Sequence, residues 1–170
     1  MSDFSNVLQV IGAMVLVSLL VQSANRKMNA NSMLLVENEF ESEIAAISQE
    51  IIEESRLLAF DEATVTGFVP VDIPAGFSDI GRDIAETADK VTFDDFDDLD
   101  GWSGIVSTAL SDFNVSIEVV YIDKTTGIQT NAKTTLKEIQ ITITNDLVRF
   151  QNTTTLKPYY FSYIRSYYAE

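Results

Sequence analysis

From Phe4 to Asn25 the chain carries no charged residue, and this run constrains everything else it can do. Its centre, Val7 to Val21, reads VLQVIGAMVLVSLLV, interrupted only by Gln9, Gly12 and Ser18. A helix needs about 20 apolar residues to cross the hydrocarbon core of a bilayer, and the run with its uncharged flanks meets that length. Asp3 precedes it and Arg26-Lys27 follow it, so charge marks both ends. A cleaved signal peptide wants Lys or Arg before the apolar run, where only Asp3 stands. A helix buried on every side would need a larger soluble domain around it. The run therefore predicts a hydrophobic transmembrane or filament-core helix over 1–27.

The helical pattern continues past that edge. The first proline is Pro70 and the only early glycine is Gly12. Phe40, Ile44, Ile47 and Ile51 fall at i, i+4, i+7 and i+11, one face of a helix. Glu37, Glu41, Glu43, Gln49, Glu50, Glu53 and Glu54 occupy much of the rest. An amphipathic continuation over 28–60 follows, giving with the first part a helix roughly 80 Å long at 1.5 Å per residue. Asn25, Asn29 and Asn31 have weak helix propensity, so local melting is expected between the halves.

The remainder, 61–170, reads as an acidic α+β head. Gly67, Pro70, Pro74 and Gly76 mark an irregular crossing, with a short helix expected over Asp79–Lys90. Strands come next. Val115, Ile117, Val119 and Tyr121 alternate with polar residues, as do Ile139, Ile141 and Ile143, the period-two signature of half-buried strands. Lys124-Thr125-Thr126-Gly127 and Asn145-Asp146 read as turns. The Thr- and aromatic-rich segment from Val148 to Ile164 supplies one or two more strands. Short connections make the sheet antiparallel. Its apolar face needs a cover, and the amphipathic half of the helix supplies one. The fold class is α+β: a long N-terminal helix, hydrophobic in its first half, packed on an antiparallel β-meander head.

Composition narrows the chemistry. There is no Cys and no His, which removes thiolate nucleophiles, disulfides, thiolate zinc sites and imidazole acid–base catalysis. An enzyme is not expected. The formal net charge of −15 repels phosphates, so nucleic acid is not an expected partner.

The whole plan resembles the type IV pilins and pseudopilins of bacteria. The resemblance runs from a helix ending Ile51-Ile52-Glu53-Glu54 … Leu58-Ala59-Phe60-Asp61-Glu62, through a Phe-Asp-Asp-Φ-Asp-Asp motif leading to Gly-Trp (Phe93 to Trp102), to strands like Val115–Asp123 and Lys137–Thr144. It implies a structural subunit held in the inner membrane before assembly and then packed with copies of itself in an extracellular filament on the cell surface. It implies assembly contacts through Asp3, Phe4, Val7, Leu8, Val10, Ile11, Val15 and Leu19.

The chain also departs from that pattern. No basic leader with glycine precedes the apolar run, so the chain is either already processed or not processed that way. Position five is Ser5 where the family usually has Glu, leaving Asp3 as the nearest acid to pair with a neighbouring amine. Such a buried pair can set register. Arg26-Lys27 would by themselves place the head in the cytoplasm, whereas the resemblance places it on the opposite side. Loop charges weigh little for a large translocated domain.

The densest charge is Asp94, Asp95, Asp97, Asp98 and Asp100, in FDDFDDLDGWSG. It reads either as a solvated acidic turn or as a calcium site, since calcium takes about six to eight oxygens from such turns. The EF-hand spacing is not met, because Phe96 and Leu99 occupy needed positions. No other cofactor is expected. Trp102 reads as a core anchor. Tyr159, Phe161 and Tyr163 should share one strand face toward the core or a subunit interface, with Tyr167 and Tyr168 exposed at the terminus. The rival to the filament subunit is a monomeric bitopic membrane protein whose acidic head binds calcium or a partner.

Overall fold

The computed structural model describes residues 2–67, 69–83, 86–87, 89–149 and 153–169, with the side chains of 2, 3, 30, 32–34 and 169 outside the description. The chain divides into two units, Met1–Ser42 and Glu43–Glu170. Helix α1 runs over Ser2–Leu57, so Asn25, Asn29 and Asn31 stay helical rather than melting. No proline interrupts it, and weak propensity summed over three positions is too small to break a hydrogen-bond ladder already propagating from both sides.

In the first unit, Phe4–Asn29 is long and apolar enough to cross a membrane, with a mean hydropathy of 2.1, and none of it is buried. In the second unit the last turns of α1 bury Ile44, Ile47 and Ile51. These are the predicted stripe positions, each worth about 1.5–3 kcal/mol of apolar burial. Ser48 and Ser55 are buried beside them because each hydroxyl donates back into the helix, to Ala45 O at 2.8 Å and Ile52 O at 2.7 Å.

The sheet is antiparallel, ordered β1 (Ser103–Ser107), β2 (Asp112–Ile122), β4 (Leu136–Thr144) and β5 (Tyr159–Ser166), with the short β3 (Gln129–Thr130) pairing the far end of β2. Register places Ile117 opposite Ile141 and Val119 opposite Ile139, and Ile139 in turn opposite Tyr163. One sheet face is therefore a continuous apolar layer. Around it lie Phe60, Phe77, Phe93, Phe96 and Leu99 from the segment between α1 and β1, all buried. The turn at Lys124–Gly127 is present, and Gly127 takes a φ of +68° that a side chain would resist.

The span Asp79–Lys90 contains no helix among its described residues. It is irregular, with a 3-10 turn only at Lys90–Thr92. Gly81 takes a φ of +127°, outside the helical region, and interrupts the segment near its start. Helix α2 (Glu62–Val65) is a single turn, closed by a capping box in which Asp61 accepts from Ala63 N and Thr64 accepts from Asp61 N.

Candidate functional site

Two features of this chain carry chemistry: the exposed apolar helix of the first unit and the acidic turn of the second. In the first, Phe4, Val7, Leu8, Val10, Ile11, Val15 and Leu19 are all more than half exposed, on every side of the helix. Asp3 lies in α1, but its side chain is outside the described residues.

The acidic turn is not a solvated one. Asp95, Asp97 and Asp98 are 2%, 1% and 3% exposed, while Asp94 stands in solvent and Asp100 is half-buried. The five aspartates do not converge on one point, because backbone donors and a buried lysine have divided them. Asp95 turns its Oδ1 onto the amides of Asp97 and Asp98, at 2.7 and 3.1 Å. Asp98 accepts from Asp94 N and Asp95 N, both at 3.0 Å. Asp100 accepts from Val119 N at 2.9 Å and so ties the turn to β2. The turn is laced together by its own carboxylates, which is why so much acid can be buried there.

Asp97 points elsewhere, to Lys137. This lysine stands on β4 in phase with Ile139, Ile141 and Ile143, so alternation drives it into the core, where it is fully buried. Its Nζ donates to Asp61 Oδ2 at 2.7 Å, to Asp97 Oδ2 at 2.6 Å and to Phe60 O at 3.0 Å. The rings of Phe60 and Tyr121 lie 4.7 and 5.3 Å from it. One ammonium thus serves two buried carboxylates.

The two acids divide that charge unequally. Burial alone would raise the Asp61 pKa, but the Lys137 bond and charge, with amide donors from Ser78 and Ala63, hold it below the usual range. Asp97 has fewer donors, Lys137 and the Ser78 hydroxyl at 3.2 Å, and its buried Oδ1 meets no hydrogen-bond partner among the described residues. Burial therefore wins there and pushes its pKa up to about 6, Lys137 opposing and Asp61 reinforcing the rise. Asp95, buried against Asp97 and Asp98, is pushed up to about 8.

Asp94 and Asp98 do meet a third acid, Glu86 from the irregular segment. Each of the three offers an oxygen within 4.8 Å of the others, the spacing a metal ion needs. Burial and the Asp98 carboxylate raise Glu86 to about 7. Glu62 at the start of α2 is also raised, by desolvation and then by Asp83, Asp94 and Asp98. The oxygens a calcium ion would find are therefore those of Glu86, Asp94 and Asp98, with Glu62 and Asp83 alongside. Asp95, Asp97 and Asp100 are committed to the fold.

Alternation on its own would have found a second buried cation, Arg165. It shares a face of β5 with Tyr159, Phe161 and Tyr163. Its guanidinium donates to the carbonyls of Ser55, Leu58 and Ala59, at 3.1, 2.8 and 3.2 Å, and so caps the end of α1. Those three aromatic residues are half-buried on the core side of the strand, whereas Tyr160 faces out at 74% exposure. Tyr168 is exposed as expected, but Tyr167 packs its ring edge-on to Phe60 and Phe77, at 5.4 and 5.2 Å. Trp102 is half-buried rather than a core anchor. Lys90 Nζ lies 4.3 Å over its ring, and that ring fills the space a side chain at Gly104 would need.

Comparison of the chain with protein-family models, with curated proteins and with solved structures finds no match to any of them.

Proposed function

We propose that this chain is the structural subunit of an extracellular filament like a type IV pilus, held in the inner membrane by its N-terminal helix before assembly and packed with copies of itself afterwards. The observation that carries this reading is Phe4–Asn29: a helix long and apolar enough to cross a membrane, free of charge from Phe4 to Asn25 and exposed along its length. Water cannot solvate that surface cheaply, so lipid or neighbouring helices must. Identical subunits in heterologous, non-closing contact extend into a fibre. The strongly acidic composition suits heads that face solvent, and it disfavours nucleic acid as a partner. A chain without His or Cys also lacks the commonest catalytic groups, in keeping with a structural rather than an enzymatic role.

Electron microscopy of filaments sheared from the source cells, with mass spectrometry of their subunits, tests the proposal. This chain as the dominant species, with Phe4–Val21 in the filament core, supports it. Filaments that never contain the chain, beside a monomeric membrane fraction that does, overturn it.

That second outcome would favour the rival, a monomeric bitopic membrane protein with a calcium-binding head. The grouping of Glu86, Asp94 and Asp98 speaks for it. The rival requires calcium to raise the melting temperature of the detergent-solubilised chain, and Asp98→Asn to abolish the rise.

A further inference from the structure

Within the apolar helix, the polar side chains differ in how they are satisfied. Ser18 donates its hydroxyl to Met14 O at 2.8 Å and needs nothing more. Gln9 has no such bond: among the described residues, no group hydrogen-bonds its carboxamide. It sits about 11 Å from the midpoint of Phe4–Asn29, inside the roughly 15 Å half-thickness of a hydrocarbon core. An amide there has no water to bond and must find a partner in another helix.

The surroundings of Gln9 suit a close approach by that helix. Ser5, Gln9, Gly12 and Leu16 follow one another at i, i+4, i+7 and i+11 on one face, with Ala13 beside them. Phe4, Ile11 and Ser18 lie on the opposite side. A side chain at Gly12 would meet nothing within 4 Å in its own chain. Glycine lowers helix stability there relative to alanine, and the chain itself gains nothing from it. A second helix crossing at Gly12 does gain, because backbones can then approach closely enough for amides to bond.

We infer that this chain pairs with a second copy of itself in the bilayer, through the Ser5–Gln9–Gly12–Leu16 face, with the two Gln9 carboxamides hydrogen-bonded across the interface. A second copy is the occupant that fits. A carboxamide carries both donor and acceptor and is its own complement, and Phe4 to Asn25 carries no charge by which two copies would repel. The inference rests on the membrane-inserted reading of the helix but does not need the filament.

The absence of cysteine makes the test clean, since any introduced thiol is the only one. The full chain is placed in phosphatidylcholine–phosphatidylglycerol vesicles carrying single substitutions, Leu16→Cys on the face and Ile11→Cys or Ser18→Cys off it, and then oxidised. Covalent dimer is expected from Leu16→Cys and not from the other two. Adding Gln9→Leu or Gly12→Ile should cut the Leu16→Cys yield, the first weakening dimerisation about 3- to 30-fold, while Gln9→Asn should retain most of it. Equal cross-linking from both faces, or indifference to Gln9→Leu, overturns the pairing while leaving membrane insertion intact. A chain that washes off the vesicles in alkali overturns the insertion, and the pairing with it.

Discussion

Lys137 is the residue on which the head's interior turns. Its ammonium is fully buried between Asp61 and Asp97, and removing one side of such a group leaves charge stranded in the core. Lys137→Met is therefore expected to cost about 3–5 kcal/mol in the unfolding free energy of the head. Adding Asp61→Asn and Asp97→Asn should return much of that loss, because the stranded charges go with them. Urea titration followed by Trp102 fluorescence checks both; a single variant as stable as the parent would mean that the triad contributes nothing. Lys137 was legible in its placement, since its phase with Ile139, Ile141 and Ile143 points it inward. Its partners were not, because Asp61 and Asp97 lie far from it in the chain and nothing local couples them.

At the scale of elements, the helix and the strands were readable because each obeys a period that neighbours along the chain impose. Ile44, Ile47 and Ile51 at helical spacing, and Ile117 or Ile141 at strand spacing, announced their buried faces before any contact was known. The end of α1 is different. It stops at Leu57 without proline or glycine, and Arg165, from the last strand, takes up its carbonyls. Arg165→Ala should destabilise the head by about 1.5–3 kcal/mol, as loss of hydrogen bonds to a charged donor does. Hydrogen exchange should show the gain in opening concentrated at Ser55–Ala59; opening spread evenly over the head would argue against a cap. A short helix was expected over Asp79–Lys90, but Gly81 stands there at a φ of +127°, a conformation no helix accommodates and one that residue spacing does not announce.

For the whole molecule, acid is the governing charge, and it makes stability depend on pH in a definite sense. Asp95, Glu86 and Asp97 titrate in the folded head at about 8, 7 and 6, above their ordinary values of 3.8, 4.5 and 3.8. Groups raised on folding contribute stability at low pH and lose it as pH rises through the folded value. Asp61 is shifted the other way, so its contribution is present above 3.8 and disappears as pH falls through its lowered value. Thermal unfolding should therefore show the head gaining stability as pH drops from about 8 to about 5, then losing it below about 4. Asp95→Asn keeps an acceptor for the amides of Asp97 and Asp98 while removing the charge, and should flatten the alkaline side of that curve. A melting temperature that climbs steadily from pH 5 to 8 would refute the assignment. Calcium, if it settles on Glu86, Asp94 and Asp98, should oppose the alkaline loss at pH 8 and matter little at pH 5, where protons compete for the same oxygens.

The sequence by itself determined the charge-free helix, its amphipathic continuation and the alternating strands, because those patterns act between residues a few positions apart and hydrophobic burial reads them directly. It also determined how much acid the head must accommodate. Only the tertiary structure decided where that acid goes. It split FDDFDD between backbone amides, Lys137 and a meeting with Glu86, buried three of five aspartates that composition alone would leave in water, and used two in-phase cations, Lys137 and Arg165, to close the core. The physical reason is range. A buried charge is tolerable only beside its partner, and which residues become partners is settled by a fold that brings together positions as far apart as 55 and 165.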